Sequence, residues 1–230
     1  MRLLAFDTST EYLSLALWLD GRVLVRDLHA GQTHSQRILP LVRELLDEAS
    51  LQLKQLDGIA FGAGPGSFTG LRIACGVAQG LAFGAGLPVV GVSTLLALAQ
   101  ASSADRVIAC LDARMGEVYH AAYVRDGNDW HEVLAPGLYA PEVLPAVPDA
   151  DWVGAGSGWD SYADALQGAY ATQLSQVLPG RHPSAQAIAE LAAPQFAAGQ
   201  GLLAAQAAPL YIRNKVALKT SERLQGGLPK

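Results

Sequence analysis

The run Gly62-Ala63-Gly64-Pro65-Gly66-Ser67-Phe68-Thr69-Gly70-Leu71-Arg72-Ile73 sets four glycines and a proline between an apolar, strand-like stretch and a helix-like one. A glycine turn opening into a helix presents unpaired N–H groups and the positive end of the helix dipole, which is the chemistry of a phosphate cradle. The lysine of a Walker A loop is missing, because Leu71 and Arg72 follow Gly70, and in a dinucleotide fingerprint the third glycine would come one place earlier. The other role open to Gly64, Pro65, Gly66, Ser67, Phe68, Thr69 and Gly70 is a tight turn that packs a helix onto a sheet. Ser67, His34 and Asp7 also supply the residue types of a peptidase triad, but no G-x-S-x-G elbow surrounds Ser67 and nothing in the spacing brings the three together.

The elements that must position these residues follow from periodicity and punctuation. Residues 3–6, 13–19 and 22–29 predict three strands, the last two joined by the hairpin signal Asp20-Gly21. Ile38, Leu41, Val42, Leu45, Leu46 and Ala49 recur at spacings of three and four and predict a helix, with Pro40 placing its regular start at about residue 39. Strands at 59–61 and 89–92 alternate with helices at 67–83 and from Ser93-Thr94 onward, giving the order β-β-β-α-β-α-β-α of a mixed sheet covered by helices. After the polar break at 102–105 strands come first again, at 107–111, 116–124 and through 134. Residues 136–148 then read as loop, 152–156 as a strand running into a glycine turn, and 184–198 as an alanine-rich amphipathic helix. Two related lobes are expected: residues 1–103, a smaller lobe over 104–200, and a C-terminal segment with a basic tail over 201–230.

Composition narrows the function classes. Half of the 230 residues are hydrophobic and only 16% are charged, a surface poor in charge that points to a partner subunit. The net charge of −5 argues against a chain that grips nucleic acid over its whole surface. Cations concentrate only near the end, where Arg213, Lys215, Lys219, Arg223 and Lys230 face the single acid Glu222. Cys75 and Cys110 stand in apolar contexts and read as free buried thiols of a reducing, cytoplasmic setting. Residues 73–92 are uncharged over membrane-spanning length, but Gln79, Pro88 and five glycines dilute them, so they read as a buried helix followed by a buried strand. Asp7 interrupts the apolar start where an export signal would continue.

Five motifs in order now carry a resemblance over nearly the whole chain: Asp7-Thr8-Ser9, the run from His34 to Pro40, the run from Gly64 to Ile73, the run from Leu111 to Tyr119, and Leu210-Tyr211-Ile212-Arg213-Asn214. In these it resembles the bacterial TsaB family, also called YeaZ. The resemblance implies a two-lobed α/β fold of the actin, sugar-kinase and Hsp70 type. It also implies a non-catalytic accessory role in forming N6-threonylcarbamoyladenosine at position 37 of tRNAs that read codons beginning with A. The implied partners are a catalytic TsaD-like subunit and a TsaE-like ATPase, with a homodimer when TsaD is absent and tRNA contact through the complex. No cofactor is implied.

The residues test this. TsaD-like subunits hold a metal through two histidines four apart on a helix; here Ile38 stands four after His34, so no metal site is expected, and His34 reads as a cap or a partner contact. In kinase relatives an acid ending the first strand handles magnesium and phosphates, followed by a glycine turn. Asp7, Thr8 and Ser9 keep the acid and the hydroxyls without the glycine, a vestigial nucleotide site at most, and Asp7 serves equally as a strand-end turn former. The rival is a kinase-like enzyme or a peptidase acting alone. The docking surface implied by the family falls on helices at about residues 36–49 and 67–84. Ile38, Leu41, Val42, Leu45 and Leu46 of the first, and Ile73, Val77 and Leu81 beside the stripe Gly76, Gly80 and Gly84 of the second, are the expected partner-binding residues. Leu45→Glu or Val77→Glu is then expected to abolish pairing in size-exclusion chromatography and to leave the monomer folded.

Overall fold

A computed structural model describes residues 1–213. The first sheet is built from β1 (Arg2–Asp7), β2 (Tyr12–Leu19), β3 (Arg22–His29), β4 (Gly58–Gly64) and β5 (Val89–Ser93), in the order β3-β2-β1-β4-β5. Strands β1 to β3 run antiparallel to one another, and β1, β4 and β5 run parallel. The second sheet, from β6 (Arg106–Arg114), β7 (Glu117–Asp126), β8 (Asp129–Tyr139), β9 (Trp152–Ala155) and β10 (Leu174–Leu178), has the order β10-β9-β6-β7-β8. It repeats the same plan, an antiparallel meander beside two parallel strands. The two-lobed mixed α/β fold expected from the sequence is present, and the two lobes share one topology.

Helix α1 (His34–Glu48) begins a full turn earlier than Pro40 had indicated. Pro40 removes one backbone donor, but both it and Gln36, whose carbonyl loses that donor, lie on the solvent side, where water replaces the bond. Buried His34 fixes the first turn, its ring Nε2 lying 3.1 Å from the Tyr12 carbonyl. Helix α2 (Phe68–Ala85) is capped by Ser67, which accepts from the Gly70 amide, and stops at Gly86, whose φ of 70° is the left-handed conformation glycine adopts freely. Thus residues 73–92 are a helix and then a strand, and no helix among the described residues is long and apolar enough to cross a membrane.

Helices α1 and α2 cover one face of the first sheet, where Leu4, Phe6, Leu13, Leu15 and Phe61 meet Ile38, Val42, Leu45 and Ala74. The opposite face, small-residue and flat at Ala5, Ala16 and Ala60, receives helix α6 (Ala185–Ala197) through Ile188, Ala189 and Ala192. Helix α3 (Thr94–Ser102) links the sheets and gives Leu95, Leu98 and Ala99 to the core of the second. Residues 185–197 had been assigned to the second lobe and instead pack on the first, so the boundary at residue 200 does not follow the packing. Four more stretches take up structure where the sequence was not read as structured: the extension of β8 through Pro136 to Tyr139, the short helices α4 (Ser157–Ser161) and α5 (Ala163–Ala169), and the edge strand β10. Trp152 and Trp159 are core residues of this lobe, their indole N–H groups donating to the carbonyls of Pro148 and Ile108. Cys75 and Cys110 are free and buried.

This packing corrects the expected docking residues. Ile38, Val42, Leu45 and Leu46 are buried against their own sheet and are not available to a partner, while Leu41 is half-buried. An apolar stripe at helical spacing fixes which face is buried but not which neighbour buries it. Leu45→Glu therefore unfolds the chain instead of only parting a dimer, since an ionised carboxylate would enter a closed apolar layer. The milder Leu45→Ala should cost about 2–5 kcal/mol in chemical denaturation.

Candidate functional site

The turn after β1 and the loop after β4 meet at the top of the first sheet. The Ser67 amide donates to the Ser9 carbonyl at 2.7 Å, and the Thr8 hydroxyl donates to the Gly70 carbonyl at 2.6 Å. A Cβ at Gly70 would overlap the Thr8 carbonyl, and one at Gly62 would overlap the Asp7 carboxyl, so at both positions only glycine lets the two segments close. Two amides of the loop over Gly64–Gly70 are bonded within the chain: Ser67 N to the Ser9 carbonyl and Gly70 N to the Ser67 hydroxyl. That is the turn packing a helix onto a sheet.

Asp7 lies beneath this contact, 1% exposed. Its Oδ1 accepts from the Ser9 amide (2.9 Å) and the Ser9 hydroxyl (2.8 Å), and its Oδ2 has no partner among the described residues. Burial pushes its pKa up to about 6 against the two bonds from Ser9, with the charge of Asp27 adding to the rise. The triad residues do not assemble: Ser67 caps α2, His34 meets the Tyr12 carbonyl and Asp7 holds Ser9. Among the described residues no three His, Cys, Asp or Glu side chains are grouped to hold a metal ion.

The second lobe presents its own turn, Arg114-Met115-Gly116 between β6 and β7, towards the first. Arg114 bridges Glu11 of the first lobe (2.9 Å) and Asp112 of its own strand (3.2 Å). A C-terminal strap joins the same region: Ala207 accepts from Gln79, Leu210 N donates to the Ala63 carbonyl, and Arg213 pairs with Glu117. The strap was not read from the sequence, where Leu210 to Arg213 stood only as a motif. Of the basic tail, Arg213 is placed here; Lys215, Lys219, Arg223 and Lys230 lie outside the described residues.

On the outer face of α2, Gly76, Gly80 and Gly84 are exposed, and a Cβ on any of them would meet nothing within 4 Å. Ile73, Val77 and Leu81 flank this stripe half-buried, and Phe83 stands 84% exposed near the helix end. On α1 the exposed apolar residue is Leu39, at 51%. The open apolar surface is therefore carried by Leu39, Val77, Phe83 and the glycine stripe, not by the residues of α1 that the spacing had pointed to. Phe83 was missed because it falls outside the helical stripe that marks the core.

Two buried groups give stability opposite pH slopes. Asp7, raised from 3.8 to about 6, favours the folded state below about pH 4 and loses that contribution as pH rises through 6, roughly 3 kcal/mol at most. His120, buried in the second lobe against Tyr170, is lowered by desolvation from 6.5 to about 4; its contribution is present above 6.5 and is lost as pH falls through 4. Between pH 4 and 6.5 the two offset each other. Asp7→Asn is expected to make urea stability fall steeply on acidification, and His120→Gln to make it rise, with the wild type flatter than either.

Among proteins of known family, the model described as "TsaD: tRNA N6-adenosine threonylcarbamoyltransferase" matches residues 28–220. The tRNA threonylcarbamoyladenosine biosynthesis protein TsaB of Escherichia coli K12 is 42% identical over 228 residues, covering 95% of this chain and 97% of its own length. The protein of the same name from Haemophilus influenzae Rd is 38% identical over 235 residues, covering 95% and 96%. The solved structure of YeaZ from Pseudomonas aeruginosa superposes with a TM-score of 0.82 at 42% identity, covering 91% of this chain and 99% of that one. The repeated sheet topology, the glycine-rich loop and these likenesses over nearly the full length place the chain in the TsaB (YeaZ) family, on the actin-like two-lobed fold it shares with TsaD.

Proposed function

We propose that this protein is a non-catalytic subunit of the machinery that forms N6-threonylcarbamoyladenosine at adenosine 37 of tRNA, acting in the cytoplasm by docking the outer face of α1 and α2 onto a TsaD-type catalytic subunit. A TsaE-type ATPase joins that assembly, and a second copy of the chain occupies the face when the catalytic subunit is absent. The observation that carries the reading is the glycine stripe of α2. Three glycines at intervals of four cost helix propensity, about 1 kcal/mol each, yet in the free chain no neighbour uses the space they leave. A second backbone lying along Gly76, Gly80 and Gly84, with Val77 and Phe83 beside it, gives that cost a return. The pathway comes from the names of the relatives. The non-catalytic role is supported by a glycine-rich loop that packs closely on the turn after β1, with its Ser67 and Gly70 amides bonded internally, and by a first helix whose single histidine meets a backbone carbonyl.

Reconstitution tests the whole reading. Product on tRNA should require this chain together with TsaD, TsaE, the adenylate-forming enzyme, ATP, threonine and bicarbonate, and the chain alone should neither modify tRNA nor hydrolyse ATP. Undiminished product without the chain would overturn it. The docking face has its own test. Gly80→Ala should stabilise the isolated chain by about 0.5–1 kcal/mol, because the new methyl meets open space, and should weaken association with the catalytic subunit; Val77→Glu should abolish association with the fold retained. An Ala variant that is more stable and pairs as well as the wild type would sink the docking role of the stripe.

A further inference from the structure

Arg72 is the only charged side chain between Asp57 and Asp105, and it stands exposed on α2. Phe68, Arg72, Gly76, Gly80 and Gly84 follow one another at intervals of four, so this one charge belongs to the ridge that continues as the glycine stripe. The side chain is held in place. Its guanidinium carbon lies 3.8 Å from the centroid of the Phe68 ring, and Nε donates to the Tyr211 hydroxyl at 3.0 Å. The Tyr211 ring in turn lies 5.6 Å from that of Phe68. Neither terminal nitrogen of Arg72 has a partner among the described residues. A guanidinium fixed through Nε keeps its two terminal nitrogens for a planar, bidentate anion such as a carboxylate, and ordering it beforehand lowers the entropy lost on pairing.

A cation at this place decides which partner fits. When the ridge is covered Arg72 loses water, and a desolvated charge without a counter-charge opposes association. A second copy of the chain cannot supply that counter-charge from the same surface. A two-fold contact sets one patch against itself, and α2 contributes a second Arg72 and no acid. The acids of α1 are engaged or turned aside. Asp47 lies 3.6 Å from Arg43, and Glu48 pairs with Arg26 of β3. Glu44 stands one turn before Glu48 on the same flank, the side towards β3, whereas α2 packs over β4 at the other side of β1 and β2.

We propose that Arg72 selects the catalytic subunit over a second copy of this chain, by pairing with a carboxylate that the TsaD-type subunit presents at the N-terminal end of α2. The inference rests on the docking reading above and adds the contact that makes the pairing of unlike subunits the stronger one. The glycine stripe lets either partner approach, and the single charge at its head tells them apart.

The test measures affinity for the TsaD-type subunit by titration calorimetry and self-association by sedimentation equilibrium, each with the full-length chain at low and at high salt. Wild type should bind the catalytic subunit more tightly than itself, with an affinity that falls as salt rises. Arg72→Gln should weaken that binding about tenfold and flatten its salt dependence, Arg72→Glu should weaken it further, and Arg72→Lys, which keeps the charge and loses the fork, should recover part of the loss. Self-association should stay as it was in all three. Unchanged affinity for the catalytic subunit in both Arg72→Gln and Arg72→Glu would overturn the selection, as would a loss that strikes self-association equally. The two readings fail separately: Val77→Glu abolishing association while the Arg72 variants pair like the wild type defeats only the selection, and a wild type that does not bind the catalytic subunit at all defeats the docking reading and the selection with it.

Discussion

The contact between the turn after β1 and the first turn of α2 governs the upper half of the first lobe. Two hydrogen bonds, from Ser67 to Ser9 and from Thr8 to Gly70, draw two backbones together at a distance that excludes any side chain at Gly70. Once they close, Asp7 is sealed below, α2 is aimed across the sheet, and the N-terminal turn of that helix is oriented towards the strap and the second lobe. A glycine-rich loop in this setting is a device for backbone-to-backbone approach, with the amides of Ser67 and Gly70 engaged within the chain.

Asp7 ends β1 in a closed setting, where burial raises its carboxyl towards neutrality against the two hydrogen bonds from Ser9. Arg114 pairs with Glu11 across the lobes, and Arg213 ties the strap to Glu117 of the second lobe. The Arg114 pair is largely solvent-exposed and contributes under about 1 kcal/mol, so the relative position of the lobes owes more to α3 and the strap, which place apolar residues in both cores, than to ion pairs.

Local signals were read well. Asp20-Gly21 makes its hairpin turn, Ser67 caps α2, Ser93 and Ser184 cap the two helices that follow them, and the order of elements through α3 is as the periodicity predicts. The failures share a cause, which is that the deciding partner lies far along the chain. Pro40 was a correct local penalty overridden because its side of α1 faces water. Leu45 and Leu46 have the same periodicity whether they cover their own sheet or another subunit. The short α4 and α5 carry glycines at 158 and 168 and too few turns to show a period, and β10 is a half-exposed edge strand of mixed character. Nothing local to Phe68, Arg72 or Tyr211 announces that they meet, and the acidity of Asp7 is set by packing, not by its neighbours in sequence.

Helix α6 has a consequence for the history of the chain. The face of the first sheet formed by Ala5, Ala16, Ala60 and Val90 is covered by residues 185–197, and the Ser14 hydroxyl accepts the amide of Ala185 across 171 positions. During synthesis the first lobe therefore waits, one apolar face open, until more than four-fifths of the 230 residues have been made. Contacts of such separation carry a large loop-closure cost before they return any energy, and a nascent chain in that state is prone to associate through the uncovered sheet. The first lobe is thus first in sequence and among the last parts to be finished, and any truncation between residues 94 and 196 removes part of the cover of a sheet whose own strands are all intact.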